Sequence, residues 1–260
     1  IEHARAAGLN FLDTANVYND GESERVVGKA IARARDQVIV ATKVRGQMGP
    51  GPNDVGTSRH NIMNAIEACL RRLGTEYVDL YYLHQPDYTT PIEESLPALD
   101  DLVRAGKVRY LGCSNFYAWQ LMEALGLSER ERWSHFVAVQ PLYNLVNRDV
   151  EVELLPCARQ HGVGVVPYSP IARGVLTGKY RPGQPAPADS RAARGDRRIQ
   201  QAEWRDESMV IAQELQPRAE AHHATLAQFA LAWVLANPVV SSAIIGPRTL
   251  EQLEDNLGAL

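Results

Sequence analysis

The sequence predicts an α/β barrel in which parallel strands alternate with helices, and three observations support this fold class. Short apolar segments with strand character alternate with helical segments along the whole chain. No predicted strand is followed by the glycine fingerprint G-x-G-x-x-G, which is typical of an open doubly wound sheet. The length of 260 residues suits one barrel, since such a domain has roughly 250 residues. A single domain over residues 1–260 is therefore expected.

The predicted elements follow this alternation in chain order. Seven strands are predicted, at LNFLD 9–13, VIVATK 38–43, VDLYYLH 78–84, VRYLGCS 108–114, FVAVQ 136–140, VGVVPYS 163–169 and SAIIG 242–246. Helices are predicted at 1–8, 22–34, 58–73, 91–105, 117–126, 149–161, from about 207, at 225–236 and over the last residues from Thr249. Together they describe a TIM-type (β/α)8 barrel that is incomplete at its N-terminus.

Two segments interrupt the regular alternation. The glycines and prolines of residues 46–56 exclude regular structure, and a loop of that length usually frames a site. Residues 180–205 are rich in Pro, Arg, Asp and Gln, which predicts an exposed, mobile excursion acting as a lid or a surface loop.

Composition limits the classes of partner. The formal net charge of −4 leaves no basic excess that would neutralise nucleic acid or an anionic membrane surface. No apolar run reaches the roughly 20 residues of a membrane span. The three cysteines are widely separated, which is not the pattern of a disulfide framework or a metal site. A cytoplasmic protein without a metal is expected.

Ionisable residues lie at the ends of several predicted strands. Asp13 ends the first strand, Tyr18 lies in the loop beyond it, Lys43 ends the second strand and His84 ends the third. The carboxyl ends of parallel barrel strands open onto one face, where the chemistry of such barrels takes place. These four side chains are therefore expected to converge.

The chemistry of this set favours reduction of a carbonyl group. An unpaired buried charge costs several kcal/mol, so Asp13 and Lys43 are expected to pair. An ammonium beside a tyrosine favours the phenolate and a neutral histidine can share its proton, which makes Tyr18 a usable acid near neutrality. Taken singly, each residue has a more ordinary interpretation as a cap, a solvated side chain or a structural histidine. Taken together, they favour catalysis.

The chain resembles the aldo-keto reductase superfamily over essentially its whole length. The matching motifs occur in order, namely FLDTANVY 11–18, VATK 40–43, YLHQPD 82–87, GCSNF 112–116, VQPLYN 139–144, YSPIARGVLTGKY 168–180 and IIGPRTLEQLEDN 244–256. SNF has an alternative interpretation as an ordinary helix cap. TGKY has an alternative interpretation as a motif that resembles a phosphate-binding loop, although it lacks the spaced glycine and the following Ser or Thr of such a loop.

The resemblance implies roles for residues of this chain. Asp13, Tyr18, Lys43 and His84 would form the catalytic tetrad, with Tyr18 protonating the carbonyl oxygen while NADPH delivers hydride. The positions implied to bind the nicotinamide are Ser114, Asn115, Gln140 and Tyr168. Those implied to bind the pyrophosphate are Ser169, Pro170, Ile171, Arg173, Gly174 and Lys179. Those implied to bind the adenosine phosphate are Gly246, Arg248, Gln252, Asp255 and Asn256.

Two functions remain open on this resemblance. The first is an NADPH-dependent reductase of an aldehyde, a ketone or a sugar-like carbonyl compound, with the small-molecule substrate as its partner. The second is a cofactor-binding regulatory subunit similar to the cytoplasmic β subunits of potassium channels, with little turnover. In one respect the chain departs from the family pattern, because no segment corresponds to the first barrel strand. A barrel with an open seam is therefore expected.

Overall fold

The computed structural model describes all 260 residues, Ile1–Leu260. The chain forms two compact units. The first unit comprises residues 1–140 and 157–163. The second unit comprises residues 141–156 and 164–260.

The first unit contains five parallel strands that pair in sequence order. They are β1 (Phe11–Asp13), β2 (Ile39–Val44), β3 (Val78–Leu83), β4 (Val108–Ser114) and β5 (Phe136–Gln140). All residues of β2 after Ile39 are buried, as expected for a parallel strand covered on both faces. Parallel pairing places every carboxyl end at the same edge, where Asp13, Lys43, His84 and Gln140 lie at or next to a strand end. The strands therefore bring the predicted strand-end residues to one edge.

Helices connect these strands. Their bounds are α1 (Glu2–Ala6), α2 (Glu22–Ile31), α3 (Arg59–Leu73), α4 (Ile92–Arg104) and α5 (Ala118–Glu131). Ser58 caps α3 by accepting a hydrogen bond from the Asn61 N–H, which satisfies one of the unpaired donors of its first turn. The α2 helix packs closely on α3, because a Cβ at Gly28 would lie 2.4 Å from the Leu73 carbonyl oxygen. Only a glycine permits that approach.

The second unit is mainly helical. Its elements are β6 (Gly164–Val165), α7 (Arg197–Ala202), α8 (Asp206–Ala221), α9 (Leu226–Leu235) and α10 (Leu250–Leu257), and α6 (Leu154–Gln160) begins in it. Its core joins the 3₁₀ turn Ala172–Thr177 with helices α7, α8 and α9. The buried residues of this core are Ala172, Val175, Leu176, Tyr180, Ile199, Met209, Ala212, Ala219, Leu226 and Ala230.

The prediction of seven strands is wrong, since the structure has six. The segment 163–169 is a strand only at Gly164–Val165, and 242–246 forms isolated bridges rather than a strand. Pro167 has no N–H to donate, and Ser169 has a φ of +57°, so neither continues a regular ladder. Single hydrogen bonds replace it, from Ser241 N–H to the Val165 carbonyl and from Ile244 N–H to the Pro167 carbonyl.

Two further expectations need correction. The helix predicted at 149–161 divides into a 3₁₀ turn, Asp149–Glu151, and α6. Pro156 lies in the first turn of α6, where its missing N–H costs no hydrogen bond within the helix. The segment 180–205 is not exposed throughout, since it contains α7 and buries Tyr180, Ile199 and Glu203. By contrast, residues 46–56 form no helix or strand, as predicted.

Among the helices of Ile1–Leu260, none has both the length and the apolar character that crossing a membrane requires.

Candidate active site

A buried ion pair forms the centre of the candidate site in the first unit. The Lys43 side chain is 0% exposed, and its ammonium donates to Asp13 Oδ1 and to the Thr14 carbonyl oxygen, the latter at 2.7 Å. The pairing of Asp13 with Ala41 across β1 and β2 brings the two side chains to the same edge. The Asp–Lys pair expected from the sequence is therefore present.

Tyr18 and His84 lie beside this ion pair. The Lys43 ammonium is 5.1 Å from the centroid of the Tyr18 ring. The rings of Tyr18 and His84 meet edge to face, with 5.6 Å between their centroids. Tyr18 begins the 3₁₀ turn Tyr18–Gly21, and the His84 N–H donates to the Val44 carbonyl oxygen at 2.9 Å. The first unit thus brings all four predicted tetrad residues together; we call these four residues the tetrad cluster.

Three predicted nicotinamide contacts adjoin the tetrad cluster. Gln140 is buried, and its Nε2 donates to Asp13 Oδ2 at 2.9 Å. Ser114 Oγ donates to the Gln140 carbonyl at 2.8 Å, and Asn115 Nδ2 donates to the His84 carbonyl at 3.0 Å. Amide and hydroxyl groups that donate and accept can bind a carboxamide. These three residues therefore fit the role that the resemblance gives them.

Tyr82 is a neighbour of the tetrad cluster that the sequence analysis did not single out. Its side chain is buried, and its ring centroid lies 5.9 Å from the Lys43 ammonium. Burial and the nearby Asp13 carboxylate raise the pKa of Tyr82 well above its usual value, so it stays a neutral phenol. A Cβ at Gly112 would lie 2.5 Å from the Tyr82 ring. The ring therefore fills the space that Gly112 leaves.

The second unit holds the residues predicted to bind the dinucleotide phosphates. Four neighbouring residues of this stretch have positive φ, namely Ser169 (57°), Ala172 (48°), Arg173 (51°) and Gly174 (99°). Pro170 is buried, whereas Tyr168, Ile171 and Arg173 are half-buried, and the Arg173 guanidinium lies 5.9 Å from the Tyr168 ring centroid. Left-handed backbone is uncommon outside glycine and clusters at ligand clamps. The backbone of this turn is therefore compatible with close approach of a ligand.

Arg173 already has a carboxylate partner. Its Nε is 3.2 Å from Glu203 Oε2, and Glu203 is fully buried. Burial raises the pKa of Glu203, while the Arg173 guanidinium opposes that rise. Glu203 was missed because it lies in the segment interpreted as an exposed excursion.

Four cations cluster in the same unit. Burial and the positive charges of Arg191, Arg194 and Arg248 lower the pKa of Lys179. Lys179 and Arg248 belong to the predicted cofactor set, whereas Arg191 and Arg194 do not. Their spacing of three residues in SRAAR was the available signal. Arg191 Nη1 also lies 3.3 Å from Asp196 Oδ2, which partly compensates its charge. The positive charge that remains fits a phosphate-bearing ligand. We call these four residues the cation cluster.

The remaining predicted residues lie in α10 or shortly before it. The Arg248 N–H donates to Gln252 Oε1 at 2.8 Å, and the Arg248 side chain is exposed. Asp255 Oδ1 accepts from Thr225 Oγ1 at 2.9 Å, so Asp255 ties α10 to the cap of α9. The other two residues are the exposed Gly246 and the buried Asn256.

Comparison with known proteins identifies the family of the chain. A family model described as the aldo/keto reductase family matches residues 1–260. The chain is 39% identical over 265 residues to a probable voltage-gated potassium channel subunit beta of Arabidopsis thaliana, covering 100% of this chain and 80% of that protein. It is 38% identical over 271 residues to the uncharacterized oxidoreductase YrpG of Bacillus subtilis (strain 168), with the same coverage.

A third relative has a named activity. The chain is 31% identical over 280 residues to a versiconal hemiacetal acetate reductase of Aspergillus parasiticus, covering 100% of this chain and 80% of that protein. Parallel strands connected by helices, together with the family match and the oxidoreductase relatives, define an α/β oxidoreductase of the barrel type. The chain belongs to the aldo/keto reductase family, whose fold is the (β/α)8 barrel.

Proposed function

We propose that this protein reduces the carbonyl group of an aldehyde, a ketone or a sugar-like compound with hydride from NADPH. The observation that carries the proposal is the buried Lys43–Asp13 ion pair beside the Tyr18 ring, with His84 on the same ring. A phenol beside an ammonium and an imidazole is a suitable proton donor for a developing alkoxide.

The chain's own residues divide the proton chemistry among them. The Tyr18 hydroxyl donates its proton to the carbonyl oxygen of the substrate. Lys43, held by Asp13 and by the Thr14 carbonyl, stabilises the resulting phenolate. His84 orients the Tyr18 ring through the edge-to-face contact. Gln140 restrains the second oxygen of Asp13, which keeps the carboxylate directed at Lys43.

The residues present fit a nicotinamide dinucleotide. The nicotinamide supplies the hydride when it is bound. Ser114, Asn115 and Gln140 would hold its carboxamide, and Tyr168 would stack on its ring. The pyrophosphate would be held by Ser169, Pro170, Ile171, Arg173, Gly174 and Lys179. The adenosine phosphate would be held by Gly246, Arg248, Gln252, Asp255 and Asn256. The cation cluster supports NADPH over NADH, because only NADPH carries the additional 2′-phosphate.

A turnover assay with a matched pair of variants tests this proposal. NADPH oxidation is followed over a panel of aldehydes, ketones and sugars for the wild type, Tyr18→Phe and Tyr110→Phe. Tyr110 is an exposed tyrosine on β4, so its variant controls for loss of a phenol elsewhere. Tyr18→Phe is expected to lose at least ~100-fold in kcat while its Kd for NADPH stays unchanged. Substantial turnover by Tyr18→Phe would refute the assignment.

A second candidate function rests on the Arabidopsis relative, whose name describes a potassium channel subunit. In that case the protein binds NADPH as a regulatory subunit and turns over little. Tight NADPH binding without turnover on any member of the panel would favour it. We place either function in the cytoplasm, because the buried free thiols of Cys69 and Cys113 suit a reducing compartment.

A further inference from the structure

A second buried ion pair lies in the first unit and takes no part in the reaction proposed above. The Glu24 side chain is 0% exposed, and its Oε2 lies 2.6 Å from Arg72 Nε. Its other oxygen accepts a hydrogen bond from Thr42 Oγ1. Glu24 belongs to α2, Arg72 to α3 and Thr42 to β2, so one carboxylate joins three elements. A buried carboxylate without such partners is strongly destabilising.

Arg72 also supports the turn that carries Tyr18. That turn ends at Gly21, which has a φ of +87° and precedes the first residue of α2. A Cβ at Gly21 would lie 2.6 Å from Arg72 Cδ, so the Arg72 side chain lies directly against the Gly21 backbone. Asn19 and Asp20 within the turn have φ values of +53° and +52°. Backbone of this kind persists only where its surroundings hold it.

The same ion pair is connected to Lys43 by two routes. Thr42, which donates to Glu24, directly precedes Lys43 in β2. Ser23, which precedes Glu24, accepts from Thr14 Oγ1 at 2.7 Å, and the Thr14 carbonyl accepts from the Lys43 ammonium at 2.7 Å. The start of α2 is therefore connected to Lys43 through Thr42 and also through Thr14.

We propose that the Glu24–Arg72 pair is a positioning device that holds the Tyr18 turn in register with Lys43. Neither residue acts on the carbonyl itself; the pair fixes the distance between the proton donor and the ammonium. This inference rests on the proposed function, which makes Tyr18 the proton donor. Proton transfer demands fixed geometry, and a misplacement of about 1 Å can cost ~100-fold in rate.

Arg72→Met tests the device, and Arg35→Met is its matched control. Arg35 forms an ion pair of the same length with Asp79, also at 2.6 Å and also largely buried. That pair lies at the amino-terminal ends of β2 and β3, since Asp79 Oδ2 also accepts from the Val40 N–H. Both variants lose a guanidinium and leave a carboxylate, so both are expected to lose stability. Only Arg72 adjoins the Tyr18 turn.

Steady-state kinetics with NADPH, measured on the folded variants, distinguish the effect of Arg72→Met from that of Arg35→Met. Arg72→Met is expected to lose about tenfold or more in kcat, while KM and the Kd for NADPH change little. Arg35→Met is expected to keep the wild-type kcat. Arg72→Lys, which keeps a donor for Glu24, is expected to recover part of the rate. If Arg72→Met does not fold, Glu24→Gln is measured in its place with the same expectation. Equal kcat values for the Arg35 variant and the Arg72 or Glu24 variant would overturn the proposal.

Hydrogen exchange without substrate separates this inference from the proposed function. Amides of residues 14–24 are expected to exchange faster in Arg72→Met than in Arg35→Met, because the turn loses its support. If the wild type shows no turnover, the proposed reductase function fails, and the exchange comparison alone decides whether Arg72 holds the turn. If the wild type turns over while the two variants match in both kcat and exchange, the proposed function stands and the positioning role is refuted.

Discussion

Lys43 is a buried charge whose cost is offset by its partners. Its ammonium has no exposed surface, and Asp13 and the Thr14 carbonyl accept its hydrogen bonds. Removing one member of such a pair leaves the other charge uncompensated, which costs about 3–5 kcal/mol. The tetrad cluster therefore contributes to stability as well as to the proposed chemistry.

We expect Lys43→Met to lower the free energy of unfolding by about 3 kcal/mol and to abolish most turnover. Urea unfolding gives the first quantity. Lys29→Met, on the exposed face of α2, is the control and should shift stability by less than ~0.5 kcal/mol. The double variant Asp13→Asn, Lys43→Met should be more stable than Lys43→Met alone, because it no longer contains the Asp13 carboxylate that Lys43→Met leaves unpaired. Identical melting of Lys43→Met and the wild type would contradict this account.

Asp87 joins two loops of the first unit through a shared carboxylate. Its Oδ2 accepts from the Thr57 N–H at 2.7 Å, and its Oδ1 accepts from the Thr89 N–H and hydroxyl at 3.0 and 2.6 Å. Partial burial raises the pKa of Asp87, but these hydrogen bonds outweigh it and lower the pKa from 3.8 to about 2. The ionised carboxylate therefore stabilises the folded protein above pH 4.

That stabilisation should disappear as the pH falls from about 4 to about 2, because the carboxylate protonates first in the unfolded chain. After allowance for solvent screening, we expect a contribution of about 1 kcal/mol. Urea midpoints of the wild type and Asp87→Asn, measured between pH 2 and pH 7, test this expectation. The two proteins should differ at pH 7 and converge near pH 2. A constant difference at every pH would assign the effect to packing.

At the scale of elements, the continuous apolar strands were predictable from the sequence. The bounds predicted for β4 and β5 match the structure at every residue, those for β2 shift by one residue, and β3 ends one residue earlier than predicted. Most residues of these strands are buried, so their sequences carry a strong apolar signal. The segments 163–169 and 242–246 gave the same apolar signal, but Pro167 and the positive φ of Ser169 limit pairing there.

The residues that sequence reasoning missed share a physical cause. Glu24, Arg72 and Glu203 are charged side chains with little or no exposed surface, and each pairs with an oppositely charged residue at least 30 positions away in the sequence. Hydrophobic periodicity shows which face of an element is apolar, but it gives no information about an ion pair between residues that are far apart in the sequence. The tetrad residues were predictable because parallel strands bring their carboxyl ends together.

The close contact between α2 and α3 predicts how stability changes when Gly28 is replaced. Gly28→Ala would place a methyl group 2.4 Å from the Leu73 carbonyl oxygen, which forces the helices apart. We expect a loss of about 1–3 kcal/mol in stability. Gly126 lies on the exposed face of α5, and a Cβ added there would meet no atom within 4 Å. Gly126→Ala should therefore raise stability by about 0.5–1 kcal/mol.

Thermal unfolding of both alanine variants and the wild type measures these opposite effects. If Gly28→Ala is as stable as Gly126→Ala, the α2–α3 contact is loose enough to accept a side chain. In that case the support that Arg72 gives to the Tyr18 turn should also be weak, because Arg72 extends from the same end of α3.

The net charge of the whole molecule is negative, whereas the region where the cofactor is proposed to bind carries several positive charges. The formal net charge is −4 and the isoelectric point is about 6.0. Partial burial, together with the positive charges of Arg191, Arg194 and Arg248, nevertheless lowers the pKa of Lys179. Binding of an anionic dinucleotide is governed by this local field, because charges beyond a Debye length of about 10 Å at 0.1 M salt are screened.

The dependence of cofactor affinity on Arg248 and on salt tests this conclusion. Arg248→Ala should lose about 1.5–3 kcal/mol in NADPH binding, which is roughly tenfold to a hundredfold in Kd, and much less in NADH binding. NADPH affinity of the wild type should fall as salt is raised, and the variant should fall less steeply. Arg218→Ala, which removes an exposed arginine from the last turn of α8, should change neither cofactor's Kd. A parallel loss for NADPH and NADH would place Arg248 on the part of the dinucleotide that both share, and the preference for NADPH would then have to come from Arg191 or Arg194.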